Sequence, residues 1–151
     1  MLNNEIKKSI DQSVLCWLAT VSKDGMPNVS PKEIFTNFGD NRIIIANIAS
    51  PNTVKNIRTN SQVCVSFIDI LLQKGFQIKG KASIVQKGDE DFSAMEAKLL
   101  EMTKGKFPFP SITKIDIEST KPILAPSYVF YPESTNETQQ IESAKKAYGL
   151  E

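Results

Sequence analysis

The stretch NIASPNTVKNIRTN, residues 47–60, combines the features of a helix start with those of an anion site. Ser50 is a good N-cap, and Pro51 suits the first helical position because its missing N–H group would have no partner there. The first turn carries no acid, and the first charged side chains are the cations Lys55 and Arg58. Unpaired N–H groups with cations nearby are able to bind a phosphate.

Two interpretations of this helix start are open. Asn52 and Thr53 occupy positions where acids normally complement the partial positive charge of a helix N-terminus, an effect worth about 0.3–1 kcal/mol. In the simpler interpretation, Ser50 caps the helix, water satisfies the other N–H groups, and the two cations are solvated. In the other, the missing negative charge belongs to a bound ligand. The helix alone favours the simpler interpretation, so other segments must decide.

The composition limits the chemistry that side chains can perform. The chain of 151 residues contains no histidine, which excludes Ser-His and Cys-His nucleophile pairs, His metal ligands and His acid–base catalysis. Cys16 and Cys64 lie in apolar runs without CxxC spacing, so we expect buried free thiols and exclude a structural zinc site. We assign no catalytic residue and expect a bound cofactor to supply the chemistry.

Charge and hydropathy indicate a globular, cytoplasmic protein. Hydrophobic residues make up 40% of the chain, and the formal net charge is +1 with the basic residues scattered. This charge gives no reason to expect nucleic acid or a membrane surface as a partner. The N-terminus lacks the apolar core of a signal peptide, and runs such as VLCWLA are too short to span a bilayer.

The patterning predicts a mainly β fold of six or seven antiparallel strands, a small barrel of the Greek-key type with short helices. Strands are expected at 14–22, 28–38, 42–47, 62–69, 75–86 and 112–119, with a final apolar stretch at 123–132. Helices are expected at 5–13, at 51–59 and over a segment that opens with Asp89, Glu90 and Asp91.

Two further predictions concern the arrangement of these elements. Pro31 has no backbone donor, so the strand 28–38 should lie at a sheet edge or bend at that point. We place the domain at residues 1–132 and treat 133–151 as a C-terminal tail, which is either a short helix that docks late or a partly disordered segment.

Three blocks of sequence resemble the pyridoxamine 5'-phosphate oxidase-like FMN-binding split barrels. They are LATVSKDGMPNVSPK at 18–32, IIIANIASPNTVKNIRTNSQVCVSF at 43–67 and GFQIKGKASI at 75–84. Each block is unspecific by itself, but their order and spacing are fairly specific and cover most of residues 14–85. The resemblance implies a split β-barrel domain that binds FMN.

The resemblance also implies where the flavin lies. Ser30, Pro31 and Lys32 would offer backbone and side-chain contacts to the isoalloxazine and ribityl region. Asn47 and Ile48 would lie beneath the flavin.

The phosphate would lie at the helix start described above. By position, its holders would be Ser50, Asn52, Thr53 and Lys55. Gln77, together with Lys79, would reach the flavin edge or the phosphate. Both residues are equally well explained as outward-facing polar residues on a half-exposed strand.

The family usually forms a homodimer with its flavin sites at the interface, so the resemblance implies that the partner chain completes each site. Trp17 and the stretch 123–131, which includes Tyr128, Phe130 and Tyr131, could supply apolar interface surface. Packing in the core is the simpler interpretation of each of these residues.

Two departures from the family pattern narrow the expected function. True pyridoxamine-phosphate oxidases hold their substrate with Arg, His and Tyr residues in a C-terminal motif, whereas this chain has no His and no Arg beyond Arg58. We therefore do not expect vitamin B6 oxidation. The Arg-Lys pair that often holds the flavin phosphate is replaced by Asn52 and Thr53, which lowers the expected affinity.

The leading hypothesis is an FMN-dependent oxidoreductase that passes electrons between a reduced nicotinamide, or another small-molecule donor, and an unidentified acceptor. The alternatives are a non-catalytic FMN carrier, a deazaflavin- or haem-binding relative, or a barrel module that binds oligonucleotide or sugar. The lack of His argues against haem. Inward-looking positions for Phe35, Phe67 and Phe76 and the small net charge argue against an oligonucleotide.

Overall fold

The computed structural model describes residues 1–151 and contains seven strands and five helices. The strands are β1 Cys16–Val21, β2 Pro27–Lys32, β3 Phe35–Phe38, β4 Arg42–Ala46, β5 Gln62–Asp69, β6 Lys74–Gln86 and β7 Ser111–Leu124. The helices are α1 Asn4–Gln12, α2 Pro51–Thr59, α3 Phe92–Thr103, α4 Pro126–Phe130 and α5 Glu137–Tyr148. The predicted mainly β fold is confirmed.

All seven strands form one antiparallel sheet in the order β2-β1-β5-β6-β7-β4-β3. β2 and β3 follow each other in the chain yet lie at opposite edges of the sheet. The sheet therefore curls into a half-barrel that is split between these two edges. β6 and β7 pair along their whole lengths, from Lys74 opposite Leu124 to Gln86 opposite Ser111, and they connect the two halves of the sheet.

Two apolar clusters fill the curled sheet. The larger one lies on the concave face and combines α1 and the inner side of α2 with strand residues such as Leu18, Phe67 and Ile78. The smaller one lies under α3 and includes Met95 and Leu99. β4 contributes to both clusters and its three isoleucines, 43–45, are fully buried, which confirms the prediction of a well-buried strand.

The structure corrects three element boundaries. The strand expected at 28–38 is two strands, β2 and β3, because the chain changes sheet edge at residues 33–34. The edge position predicted from Pro31 is confirmed for β2. The apolar stretch 123–132 is mostly helical, since β7 ends at Leu124 and Pro126 opens α4. α3 begins only at Phe92, so the acids 89–91 precede the helix.

The structure also corrects the packing predicted for several aromatic residues. Trp17 is 48% exposed, and Phe130 and Tyr131 are exposed as well, so core packing was wrong for all three. Tyr128 is half-buried, and its hydroxyl donates to the Leu72 carbonyl at 2.8 Å. Cys16 and Cys64 are free thiols, of which only Cys16 is fully buried.

The C-terminal tail is helical and contacts the domain. α5 spans Glu137–Tyr148, with Ala144 buried. Gln140 donates to the Gln73 side chain at 2.6 Å, and Lys74 pairs with Glu137 at 2.9 Å. Gln73 belongs to the β5–β6 connection and Lys74 is the first residue of β6, so the tail packs on that hairpin. No helix of the protein has the length and apolar character needed to cross a membrane.

Gly80 allows β6 to bend at the point where its pairing with β7 slips by one residue. A Cβ atom at this position would lie 2.2 Å from the Asp116 carbonyl oxygen. Because both atoms belong to paired strands, neither can move without breaking the ladder.

We expect Gly80→Ala to lower the free energy of unfolding by about 1–3 kcal/mol, the usual cost of forcing extra volume into a packed site. Urea unfolding followed by circular dichroism measures this change. Ser83→Ala, at an exposed position of the same strand, is the control and should change stability by no more than about 0.5 kcal/mol. Equal stability of Gly80→Ala and the wild type would contradict the account.

Candidate functional site

The first turn of α2 is held against the edge strand β2 by two side-chain contacts. The Ser30 and Thr53 hydroxyls lie 3.2 Å apart and share a hydrogen bond. The Lys32 ammonium donates to the Ser50 hydroxyl. Four residues predicted to contact FMN from two distant segments therefore meet at one place.

The buried side of α2 holds its first turn in this position. Thr53, Asn56 and Ile57 are the buried residues of the helix. The Asn56 amide donates to the Thr20 hydroxyl of β1 at 3.0 Å, and Ile57 belongs to the main core cluster. The helix is thus fixed to the concave face of the sheet along one side, and its N-terminus points toward β2.

The N-terminus of α2 has neither an acid nor a side-chain cap. Ser50 occupies the N-cap position, but its hydroxyl donates to the Ile48 carbonyl at 3.0 Å and caps no N–H group of the helix. Asn3 caps α1 and Asn136 caps α5, and both of those helices carry an acid in the first turn, whereas α3 and α4 resemble α2 in having neither. The partial positive charge of the α2 terminus is therefore not compensated by any side chain.

Lys32 adds a full positive charge next to this terminus. Lys32 is only 6% exposed, and it takes part in none of the ion pairs of the structure. Burial lowers the pKa of the Lys32 ammonium. Cys16 lies opposite Lys32 on β1, and burial raises the pKa of its thiol to about 12, so the thiol stays neutral. A buried cation beside an uncompensated helix terminus is a site for an anion.

A small cavity lies beside this cation. It has a volume of about 220 Å³ and is lined by Lys32 and one acid, Glu33, together with apolar residues: Pro31, Ile34, Ala46, Ile48 and Phe107. It places apolar side chains next to the buried ammonium. Ile34 and Phe107 were not predicted as site residues, and the only signal for Phe107 in the sequence is an aromatic residue in a proline-rich segment.

Asn47 has a structural role in the loop that precedes α2. Its amide donates to the Ser111 hydroxyl at 3.1 Å and accepts from the Thr113 hydroxyl at 2.8 Å. Its backbone N–H donates to the Ser111 carbonyl at 3.0 Å. The polar atoms of this buried side chain are therefore occupied by the protein, and they fix the loop between β4 and α2 onto β7.

The structure places the other three predicted polar residues, Asn52, Lys55 and Gln77, in three different positions. Asn52 is exposed in the first turn of α2. Lys55 is exposed and lies about 200° around the helix axis from Thr53, on the opposite side. Gln77 lies on the convex face of the sheet, because Ser30 shares its row on the concave face with Ile78 rather than with Gln77. One chain by itself does not bring Gln77 to the α2 terminus.

Comparison with known proteins gives a family and a set of similar folds. A family model described as pyridoxamine 5'-phosphate oxidase matches residues 2–122. No curated protein matches the chain. Among solved structures, HupZ of Group A Streptococcus is 26% identical, with a TM-score of 0.68 over 80% of this chain and 92% of that one.

Two further similar structures have names that mention a cofactor. An FMN-binding protein from Syntrophomonas wolfei is 18% identical, with a TM-score of 0.67 over 80% of this chain and 84% of that one. HutZ, described as the heme storage protein from Vibrio cholerae, is 20% identical, with a TM-score of 0.64 over 82% and 94% of the two chains. These two similarities show a shared fold.

We expect Lys32→Met to raise the free energy of unfolding of the ligand-free protein by about 1 kcal/mol or more. The substitution removes a buried charge that takes part in no ion pair, and it keeps most of the side-chain volume. Urea unfolding of protein stripped of ligands measures the change.

Lys55→Met is the matched control for this substitution, because it removes a lysine from an exposed position of α2 and should change stability by no more than about 0.5 kcal/mol. A lower stability for Lys32→Met would show that the fold itself already compensates the ammonium.

Proposed function

Since the chain belongs to the pyridoxamine 5'-phosphate oxidase family, we propose that it binds FMN and works as a flavin-dependent oxidoreductase with small-molecule electron donors and acceptors. The observation that carries this proposal is the buried, unpaired Lys32 at the acid-free N-terminus of α2. A phosphate dianion supplies the negative charge that both groups lack.

The residues present suit the phosphate end of FMN. Lys32 would pair with the phosphate, and the free N–H groups of the α2 terminus would donate to it together with the hydroxyls of Ser50 and Thr53. The exposed side chain of Asn52 would border the phosphate. When bound, the flavin supplies the redox chemistry, and the protein sets its orientation and its electrostatic surroundings.

The ring system of the flavin would lie along β2. Because β2 is an edge strand, one side of its backbone faces no neighbouring strand and is free to pair with a polar ring edge. Ser30 and Lys32 would contact the ribityl chain and the ring from this strand. Pro31 and Ile48, which line the adjacent cavity, would supply apolar contact. In this proposal Asn47 acts indirectly by fixing the loop that carries Ile48.

We do not extend the proposal to oxidation of vitamin B6. The chain has no His, and its two arginines are Arg42 and Arg58, so the Arg and His ligands of a substrate pyridine phosphate are missing from the C-terminal part. The family match itself ends at residue 122. The substrate is therefore a different small molecule.

Haem is less well supported than FMN, although one protein of similar fold is described as a heme storage protein. A chain without histidine lacks the commonest axial ligand of haem iron. The site instead offers a cation and N–H donors, and these groups suit a phosphate. An FMN-binding protein shares the fold as well.

A homodimer would complete the site in this proposal. Pro31, Trp17, Ser66 and Gln77 form a continuous row across four strands on the convex face. Trp17 is half-exposed there, and it borders an apolar groove of about 710 Å³ in which nine of twelve lining residues are hydrophobic. A second copy packed on this face would bury the groove and bring Gln77 to the flavin of its partner.

We expect the purified protein to be yellow or to take up FMN, and Asn52→Glu to weaken FMN binding about tenfold or more. Two like unit charges about 4 Å apart repel by about 1 kcal/mol in water and by about 4 kcal/mol near a protein surface. The fold should survive, because an acid in the first turn of an exposed helix adds about 0.3–1 kcal/mol of stability. Quenching of flavin fluorescence on titration measures the affinity.

Asn52→Gln is the matched control, since it adds the same length without charge and should bind FMN like the wild type. A colourless wild-type protein that takes up no FMN on reconstitution would overturn the proposed function. Equal FMN affinity of Asn52→Glu and Asn52→Gln would instead place the phosphate away from this helix.

We expect the wild type to be a dimer by size-exclusion chromatography with light scattering and Trp17→Glu to be a monomer. A carboxylate beside the apolar groove of the convex face would be buried without a partner on association. Met102→Glu, an equivalent change at an exposed apolar position of α3, should remain dimeric. A monomeric wild type that is saturated with FMN would contradict the dimer.

A further inference from the structure

A second concave site lies on the outer side of α2, and it extends to the N-cap residue, Ser50. It is a cleft of about 690 Å³ between α2, the end of β6 and the beginning of β7. Pro51, Lys55 and Arg58 line it from the helix, and Gln86 and Ser111 line it from the strands. The cleft is open to solvent and is lined mostly by polar residues, and its volume is large enough for a small molecule.

The charge of the cleft is entirely positive. No Asp or Glu is among its eleven lining residues, whereas Lys55 and Arg58 both are. Neither cation takes part in an ion pair or a side-chain hydrogen bond to the protein. The other arginine, Arg42, pairs with Asp91 and Asp116. Arg58 is therefore the one guanidinium of the chain that the fold leaves free for a ligand.

The spacing of the two cations suits neighbouring anionic groups. Lys55 and Arg58 are three residues apart on one helix, which places their Cβ atoms about 5–6 Å apart on the same side. Arginine binds phosphate oxygens in pairs, and lysine adds a mobile point charge. A diphosphate presents two adjacent anionic groups that both side chains are able to reach.

This cleft is distinct from the proposed position of the FMN phosphate but adjoins it. Lys55 lies about 200° around the helix from Thr53, whose hydroxyl bonds to Ser30 on β2. Ser50 lines the cleft and also accepts a hydrogen bond from Lys32. A ligand in the cleft would therefore be separated from the cofactor phosphate only by the first turn of α2.

We propose that this cleft binds the diphosphate of a nucleotide substrate, with Lys55 and Arg58 as its cations, and that the substrate is the dinucleotide electron donor of the flavin. The inference rests on the proposed function, since FMN carries a single phosphate and that group is assigned to the Lys32 side of the helix. The small net charge of the chain gives no general attraction for polyanions, so the binding is local to the cleft.

The test uses ADP as the probe and FMN-loaded full-length protein, with binding measured by isothermal titration calorimetry. We expect ADP to bind the wild type and the double variant Lys55→Gln/Arg58→Gln to bind it at least about tenfold more weakly. Adenosine, which has no phosphate, should not distinguish the two proteins. Because both positions are exposed, the variant should fold and keep the FMN absorption spectrum of the wild type.

The control variant Lys8→Gln/Lys87→Gln removes the same charge at exposed positions outside the cleft and should bind ADP like the wild type. Absence of ADP binding to the wild type, or an equal loss in both double variants, would overturn the inference. Loss of FMN from Lys55→Gln/Arg58→Gln would also overturn it, because the cleft would then hold the cofactor phosphate. That result leaves the proposed function intact, whereas failure of the wild type to bind FMN at all defeats the proposed function.

Discussion

The contact between β2 and the first turn of α2 is the constraint on which the candidate site depends. It brings a buried ammonium, Lys32, against the positive end of a helix, an arrangement that is electrostatically unfavourable in the ligand-free protein. The ammonium has one hydrogen-bond partner in the protein, the neutral hydroxyl of Ser50, and the second contact, between Ser30 and Thr53, joins two neutral hydroxyls. An unfavourable arrangement of this kind persists where the surrounding fold holds it in place, and it is typical of binding sites.

The rest of the fold holds the contact between β2 and α2 in place through polar side chains that all have hydrogen-bond partners. Asn47 ties the loop before α2 to β7 through two buried hydrogen bonds, and Asn56 ties the helix to Thr20 on β1. No buried side-chain polar atom in the structure lacks a hydrogen-bond partner. The curl of the sheet, which requires the bend of β6 at Gly80, brings these anchoring strands around the helix. The uncompensated charge is thus confined to one place within a well-satisfied framework.

Local signals predicted the site better than they predicted its surroundings. Helix 51–59 was predicted with its observed bounds, because Ser50 and Pro51 define its start through backbone chemistry alone. The edge position of β2 followed from one proline. The break between β2 and β3 at residues 33–34 could not be predicted. An alternating sequence has the same pattern whether it forms one strand or two strands at opposite edges of the sheet. The sequence also could not show whether the face that carries Gln77 and Trp17 is covered. Alternation shows that a strand has two faces, and tertiary packing decides which face is covered.

The two sides of α2 differ in a way that suits two kinds of ligand. Lys32 is largely shielded from water, so its attraction for an anion is screened by salt less than that of an exposed lysine. Lys55 and Arg58 are exposed, and the helix dipole has faded at their positions, so their attraction is weaker and is screened by salt. Tight binding suits a cofactor that stays bound through many reaction cycles, and weak binding suits a donor that must leave after each one. On the proposed assignments, a single acid-free helix serves both needs because one of its sides is buried and the other faces water.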